Sequence, residues 1–288
     1  MSTKAVIPTS ASSDSPASYE ETYVHTIYES IAHHFSSTRY KPWPVVAAFL
    51  ASIPAGHIGL DAGCGNGKYL MAPQEREGVY WTIGLDRSVR LLDIAKLAGG
   101  RSRECVLADV LDNPWRNGAF DFAISIATIH HLSTRERRKN SIQNLLNCLS
   151  PSHGRGLIYV WSVRQDELSK RSIPSPVEKT NSEHRGQDVL VPWVMTNSFA
   201  SQKLEKMQSR ETEDSPAIFN RYYHLFEEGE LRDLVIAAAQ ELDTDEGSPA
   251  SEEGSSRCIQ IRPKKYIEII RDGWERSNCY VEFRLYQK

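Results

Sequence analysis

No stretch of 18 consecutive apolar residues occurs in this chain, which excludes a membrane-spanning helix. Cysteine is scarce: Cys64, Cys105, Cys148, Cys258 and Cys279 are widely spaced, odd in number and form no CxxC pair. That pattern excludes a disulfide framework or a zinc knuckle, so no metal ligands are expected. It suits a reducing compartment, the cytoplasm with the nucleus as a second location. Neither sign of charge is in excess, since 34 Lys and Arg against 37 acids leave a net charge of -3. No global basic surface therefore advertises nucleic acid, and any such contact has to be local. Residues 1–18 lack both arginine and an apolar core segment, so neither a secretory nor a transit peptide fits. Rich in Ser, Ala and Pro, they are expected to be a disordered tail. Internal repeats are absent, and residues 19–288 are long enough to bury the core of a single large domain.

What is present concentrates at residues 60–70, LDAGCGNGKYL. Gly63, Gly65 and Gly67 follow the short apolar run 58–60, and glycine lets a backbone turn sharply and approach a ligand closely. Glycine clusters also mark ordinary turns, so the loop needs support from elsewhere. Its spacing is GxGxG preceded by Asp61, rather than the GxGxxG of dinucleotide sites. Asp86 closes a second apolar run 23 residues beyond Gly63, where an acid in a Rossmann-like sheet accepts hydrogen bonds from ribose hydroxyls. Asp109 closes a third run and can reach an adenine amino group. Any one of these acids could be a helix cap; their joint order at successive strand ends is the signature of a ligand crevice.

The surrounding pattern is strand, loop, helix, repeated. Apolar runs at 79–85, 105–107, 120–127 and 157–161 alternate with helical stretches, which predicts parallel βαβ units in a doubly wound sheet. An amphipathic helix is expected over about 20–36 and a second short one after Pro44. The segment between them holds Arg39, Tyr40 and Trp43 together. The best helix is 136–149, opened by a Ser133/Glu136 capping box. Residues 164–216 and 243–256 read as irregular insertions, with the apolar island QDVLVPW at 187–193 inside the first. Another helix is expected at about 229–241. A closing strand at 280–286 should turn Val281, Phe283 and Leu285 inward and Glu282 and Arg284 outward.

From residue 56 to 163 the arrangement resembles the S-adenosylmethionine-dependent methyltransferases, which implies an α/β Rossmann-like fold with a seven-stranded, mostly parallel sheet and helices on both faces. The cofactor set is then Asp61, Gly63, Gly65, Asp86, Asp109 and Val110. A closer resemblance follows from longer segments: YVHTIYESIAHHFSSTRYKPWP at 23–44, DFAISIATIHHLSTRERR at 121–138, LIYVWS at 157–162, QDVLVPW, and RYYHLFEEGEL at 221–231. In order, these are similar to the eukaryotic tRNA wobble-uridine carboxymethyl methyltransferases. That resemblance implies methylation of a carboxymethyluridine carboxylate in the tRNA anticodon, with help from a small zinc-binding activator subunit. It also places Arg39, His131, Trp161, Asp188 and Trp193 around the target nucleotide. The chain departs from the pattern at SHGRG before LIYVWS, at Cys279 and in the acidic insertion.

Carboxyl groups ionise near pH 4, so such an acceptor needs no general base; it needs alignment and exclusion of water. Arg39 is the first choice to grip both carboxylate oxygens, with His131 next. His130 and His131 are adjacent, so on a strand one should be packed and the other in the site. Arg135, Arg137 and Arg138 crowd the start of the 136–149 helix, where cations oppose the helix dipole unless an anion such as tRNA phosphate docks there. Together with Tyr40 they are the candidate substrate contacts, against a reading as plain surface charge. The helix over 89–98 is too apolar for one stripe, and the strand at 103–108 should be a sheet edge, so the activator is expected to pair there. Two rival readings stay open: a small-molecule O-methyltransferase, and a non-catalytic methyltransferase fold acting as a binding subunit.

Overall fold

The computed structural model describes residues 5–10, 15–38, 41–71, 79–167, 169, 173, 185–195, 217–242, 258–262 and 265–287. Five parallel strands form the heart of the molecule: β2 (Ile58–Ala62), β3 (Trp81–Asp86), β4 (Cys105–Leu107), β5 (Phe122–Ile126) and β6 (Arg155–Trp161). Three more continue the sheet, β11 (Asn278–Gln287), β10 (Lys265–Glu275) and β9 (Cys258–Arg262), each antiparallel to its neighbour. The order β4-β3-β2-β5-β6-β11-β10-β9 reverses between β2 and β5, the switch point at which open α/β sheets bind ligands. The sheet thus carries the seven strands expected plus β9 at its far edge.

Strand alternation explains how both faces are covered. In β6, Ile158 and Val160 point to one side, where they pack with Ile142, Leu145 and Leu146 of α5 (Arg135–Cys148) and Leu234, Val235 and Ala238 of α6 (Glu230–Glu241). Leu157 and Tyr159 point to the other, against Val46, Phe49 and Leu50 of α3 (Pro44–Ala51). Covered on both faces, β5 is buried at every residue, which is why it reads as an unbroken apolar run. Between β3 and β4, α4 (Val89–Ala95) ends earlier than expected because Gly99 and Gly100 follow in positive-φ turns. No helix among the described residues is long and apolar enough to cross a membrane.

A second, three-stranded sheet has β7 (Gln187–Val194) between β1 (Ile7–Pro8) and β8 (Ile218–Leu225). The expectation of a disordered tail over 1–18 is therefore corrected for residues 5–10 and 15–18, the rest of it lying outside the described residues. Ile7 and Pro8 pair with Leu190 and Val189, Thr9 N–H donates to the Asp188 carbonyl, and helix α1 (Pro16–Glu20) begins at a proline preset for the first turn. From α1 the chain runs through a π turn (Glu21–His25) into α2 (Thr26–Thr38). The insertion at 164–216 likewise holds a regular strand, β7; the one at 243–256 lies outside the described residues.

Three local expectations change. Thr134, not Ser133, caps α5 by accepting from Arg137 N–H, because Ser133 is taken by Glu20. His130 and His131 sit in a 3-10 turn (Ile129–His131), not on a strand. Glu282 is buried rather than outward in solvent, because Arg155 and Arg271 neutralise it from both sides.

Candidate active site

A cleft of about 550 Å³ opens at the carboxyl ends of the parallel strands, walled on its outer side by α2 and β8. Its floor is the glycine loop. Gly63 has φ +89°, and a Cβ there would lie 2.2 Å from the Thr128 hydroxyl, so both conformation and space demand glycine. The amides of Gly63 and Cys64 both donate to the Leu85 carbonyl and tie the loop to β3. Asp86 completes the tether: one oxygen accepts from Gly65 N–H at 2.8 Å, the other from Ser88 N–H at 2.9 Å.

Asp61 is different. It is 1% exposed, and neither carboxylate oxygen has a hydrogen-bond partner among the described residues. Burial, with the charge of Asp86 adding, pushes its carboxyl up to about 8. A buried acid left this way wants a cation from outside. S-adenosylmethionine carries an α-ammonium, so the residues present fit the cofactor, with Asp61 as the group that would hold that end. Asp109 accepts from Leu111 N–H with one oxygen and pairs with Arg87 at 2.8 Å with the other; Arg87 also holds Glu21 at 2.7 Å. Val110 lines the cleft beside it.

The opposite wall is aromatic and cationic. His131 Nδ1 lies 2.8 Å from the Tyr222 carbonyl and so carries the proton, which leaves Nε2 to accept from the Tyr28 hydroxyl at 3.0 Å. Burial, reinforced by the nearby Arg221 charge, drives His131 down to about 3, so it is neutral at physiological pH. Trp161 stacks on Tyr223, ring centroids 4.1 Å apart and nearly parallel, and its amide donates to Nδ1 of the fully packed His130. Arg221 reaches the cleft from β8 and donates to the Tyr28 hydroxyl at 3.1 Å.

Eight of the residues singled out from sequence come together here: Asp61, Gly63, Gly65, Asp86, Asp109, Val110, His131 and Trp161. Arg39 and Tyr40 lie outside the described residues. Asp188 and Trp193 do not wall the cleft, because both belong to β7, behind β8. Asp188 accepts from Tyr222 and His224, whose bonds outweigh its burial and hold its carboxyl below the usual range. Trp193 donates to His34 Nδ1 and lies 4.6 Å beneath the Arg221 guanidinium. Of the three arginines at the head of α5, only Arg135 is exposed. Arg137 is clamped to Glu20 and Arg138 is buried against the Leu132 carbonyl and the Phe226 ring, so neither is placed as a phosphate contact. Tyr28, Arg221 and Tyr223 escaped the sequence reading as site residues. The polar breaks they make in the apolar face of α2 and in the RYYHLF run were the available signal.

Fold and site together define a class I S-adenosylmethionine-dependent methyltransferase. Residues 60–153 match the family described as "Methyltransferase domain". The fold is similar to that of Burkholderia thailandensis 1,6-didemethyltoxoflavin-N1-methyltransferase, solved with S-adenosylhomocysteine, at a TM-score of 0.55 and 17% identity over 98% of this chain and 94% of that one. Sequence similarity is narrower in meaning. The chain is 42% identical to a tRNA (carboxymethyluridine(34)-5-O)-methyltransferase of Schizosaccharomyces pombe, over 76% of this chain and 89% of that protein. It is 42% identical to the Saccharomyces cerevisiae protein of the same name, over 69% of this chain and 66% of that one. It is 38% identical to the Xenopus tropicalis protein, of whose longer chain it spans 37%. The chain belongs to the tRNA (carboxymethyluridine(34)-5-O)-methyltransferase family.

Proposed function

We propose that this protein transfers a methyl group from S-adenosylmethionine to the carboxylate of carboxymethyluridine at the tRNA wobble position, giving the methyl ester. The observation that carries this reading is the division of the cleft: an acid-lined half suited to the cofactor faces a half with a buried arginine and a neutral histidine. Bound cofactor supplies an electrophilic methyl on a sulfonium. The chain's own task is to hold an already ionised oxygen in line with it in a dry site, and no residue has to remove a proton. His131, with its Nε2 lone pair committed to Tyr28, suits a wall rather than a base. Trp161 offers an aromatic flank for an unstacked base, and the exposed Arg135 a phosphate contact at the mouth. Arg39 and Tyr40 keep their places around the target nucleotide as proposals, in a protein acting in the cytoplasm.

The zinc-binding activator belongs to the same proposal. Among the described residues β4 is hydrogen-bonded on one side only, and its own Leu107 and the nearby Leu97 are 59% and 70% exposed, so a partner strand added there would extend the sheet and cover them. The test is to co-express the chain with the activator and follow methyl transfer to carboxymethyluridine-bearing tRNA by mass. The ester should form only with the cofactor and the acid-bearing tRNA together. Cofactor binding without any product would favour a small-molecule acceptor, and failure to bind the cofactor would favour the non-catalytic subunit.

A further inference from the structure

Among the described residues, the buried and half-buried cations differ in how their charge is met. Arg137 has Glu20, and Lys139 has Glu136 and Glu241. Arg138, buried with its Nη1 on the Leu132 carbonyl, feels the charges of Asp188 and Glu230. Arg221 is 3% exposed and has no carboxylate within ion-pair distance among the described residues. Nη1 donates to the Tyr28 hydroxyl, Nε has no acceptor among the described residues, and the groups that bear on its charge there are the hydroxyls of Tyr28 and Tyr223. Three rings surround it, Trp193 at 4.6 Å, Tyr223 at 5.2 Å and Tyr28 at 5.6 Å from the guanidinium carbon.

This arrangement costs stability, because a charge taken out of water needs a counter-charge, and aromatic faces compensate only in part. It also fixes the guanidinium in place. The Tyr28 proton goes to His131 Nε2, so the Tyr28 oxygen is free to accept from Arg221 and from the Tyr223 hydroxyl 3.2 Å away. Neutral His131 adds no second charge. Across from the cofactor acids the cleft therefore presents a rigid, planar cation that no carboxylate among the described residues neutralises.

We propose that Arg221 is the ligand of the acceptor carboxylate, and that it makes the site select the acid over the corresponding uncharged amide. The inference rests on the carboxymethyluridine reading above and assigns the residue that reads the charge. A guanidinium matches a carboxylate with parallel N–H donors, while an amide brings its own N–H groups toward the cation and leaves it unneutralised. The acceptor completes the ion pair that the fold withholds. Tyr28 and Trp193 are positioning residues that hold the guanidinium.

The experiment measures binding and turnover separately, on the full chain co-expressed with the activator and supplied with its cofactor. Anticodon stem-loops bearing either carboxymethyluridine or its carbamoylmethyl amide are the ligands. Wild type should prefer the acid by about 30-fold or more in affinity, the scale of a buried charge pair. Arg221→Gln, neutral and of similar length, should bind the cofactor within about twofold yet bind acid and amide about equally; Arg221→Lys should keep part of the preference. Equal binding of acid and amide by wild type overturns the proposal, as does an unchanged preference in Arg221→Gln that still binds the cofactor. If Arg221→Gln does not fold, the wild-type ratio and Arg221→Lys decide. Wild type that selects the acid but never methylates it would sink the proposed function while leaving Arg221 as the charge reader.

Discussion

Asp61 illustrates what a single buried group does to a whole protein's pH behaviour. Its folded carboxyl lies at about 8 against 3.8 for the unperturbed group, so the folded state binds the proton more tightly than the unfolded state. Stability of the free protein is therefore greatest below pH 4 as far as this group is concerned, and falls as pH rises through the window from about 4 to 8. Asp86, also raised by burial, contributes with the same sign. Denaturant titrations across that window should show the decline in wild type and a smaller one in Asp61→Asn. A cationic cofactor end reverses the balance by stabilising the ionised form. Binding at pH 7 should then release up to about one proton, read by calorimetry in buffers of different ionisation enthalpy, and the release should fade above pH 8. Asp61→Asn should lose at least about tenfold in cofactor affinity, one pKa unit's worth of interaction. The sequence located Asp61 by its place before GxGxG; that both its oxygens would be orphaned depends on which side chains close over it, and no local pattern states that.

At the scale of elements, the N-terminal helix is held to α5 by a buried carboxylate. Glu20 is 1% exposed and accepts from Ser133 N–H, the Ser133 hydroxyl and the Arg137 guanidinium, with contacts of 2.6 to 3.0 Å to the last. Removing Arg137 strands that charge, so Arg137→Ala should cost about 3–5 kcal/mol in urea denaturation. Arg135→Glu, at an exposed position two residues earlier, should change stability by less than about 0.5 kcal/mol. It should instead weaken tRNA binding and lower the salt slope by about 1. From sequence the cations at the head of α5 looked alike, because composition cannot tell which of them meets an acid more than 100 residues away. Helix periodicity, by contrast, was legible: α2, α5 and α6 fall where apolar residues recur at helical spacing, since the core accepts only one stripe. β8 was not legible as an element, because an arginine, two tyrosines and a histidine in a row are inward-facing only when a second sheet exists to receive them.

On the scale of the molecule, the long sheet ends at β4, whose outer edge pairs with no strand among the described residues and lies beside two exposed leucines. Such an edge invites pairing with whatever is near. The isolated chain should aggregate, and replacing Leu97 and Leu107 with lysine should raise its solubility while reducing capture of the activator, with cofactor affinity unchanged; light scattering and co-purification decide. A soluble, active wild-type monomer would count against the interface. The sequence alone was enough to determine the parallel βαβ order, the glycine loop and the acids at successive strand ends, because each follows from short-range periodicity and from where a parallel strand has to stop. It also carried the family, through long ordered segments. The tertiary structure alone decided that Asp188 and Trp193 stand behind the cleft, that Arg137 and Arg138 serve the fold, and that Arg221 enters the site without a counter-charge among the described residues. The reason is physical: whether a charged side chain is neutralised depends on which distant segments fold against it, and burial makes that contact, or its absence, decide the energy of the charge.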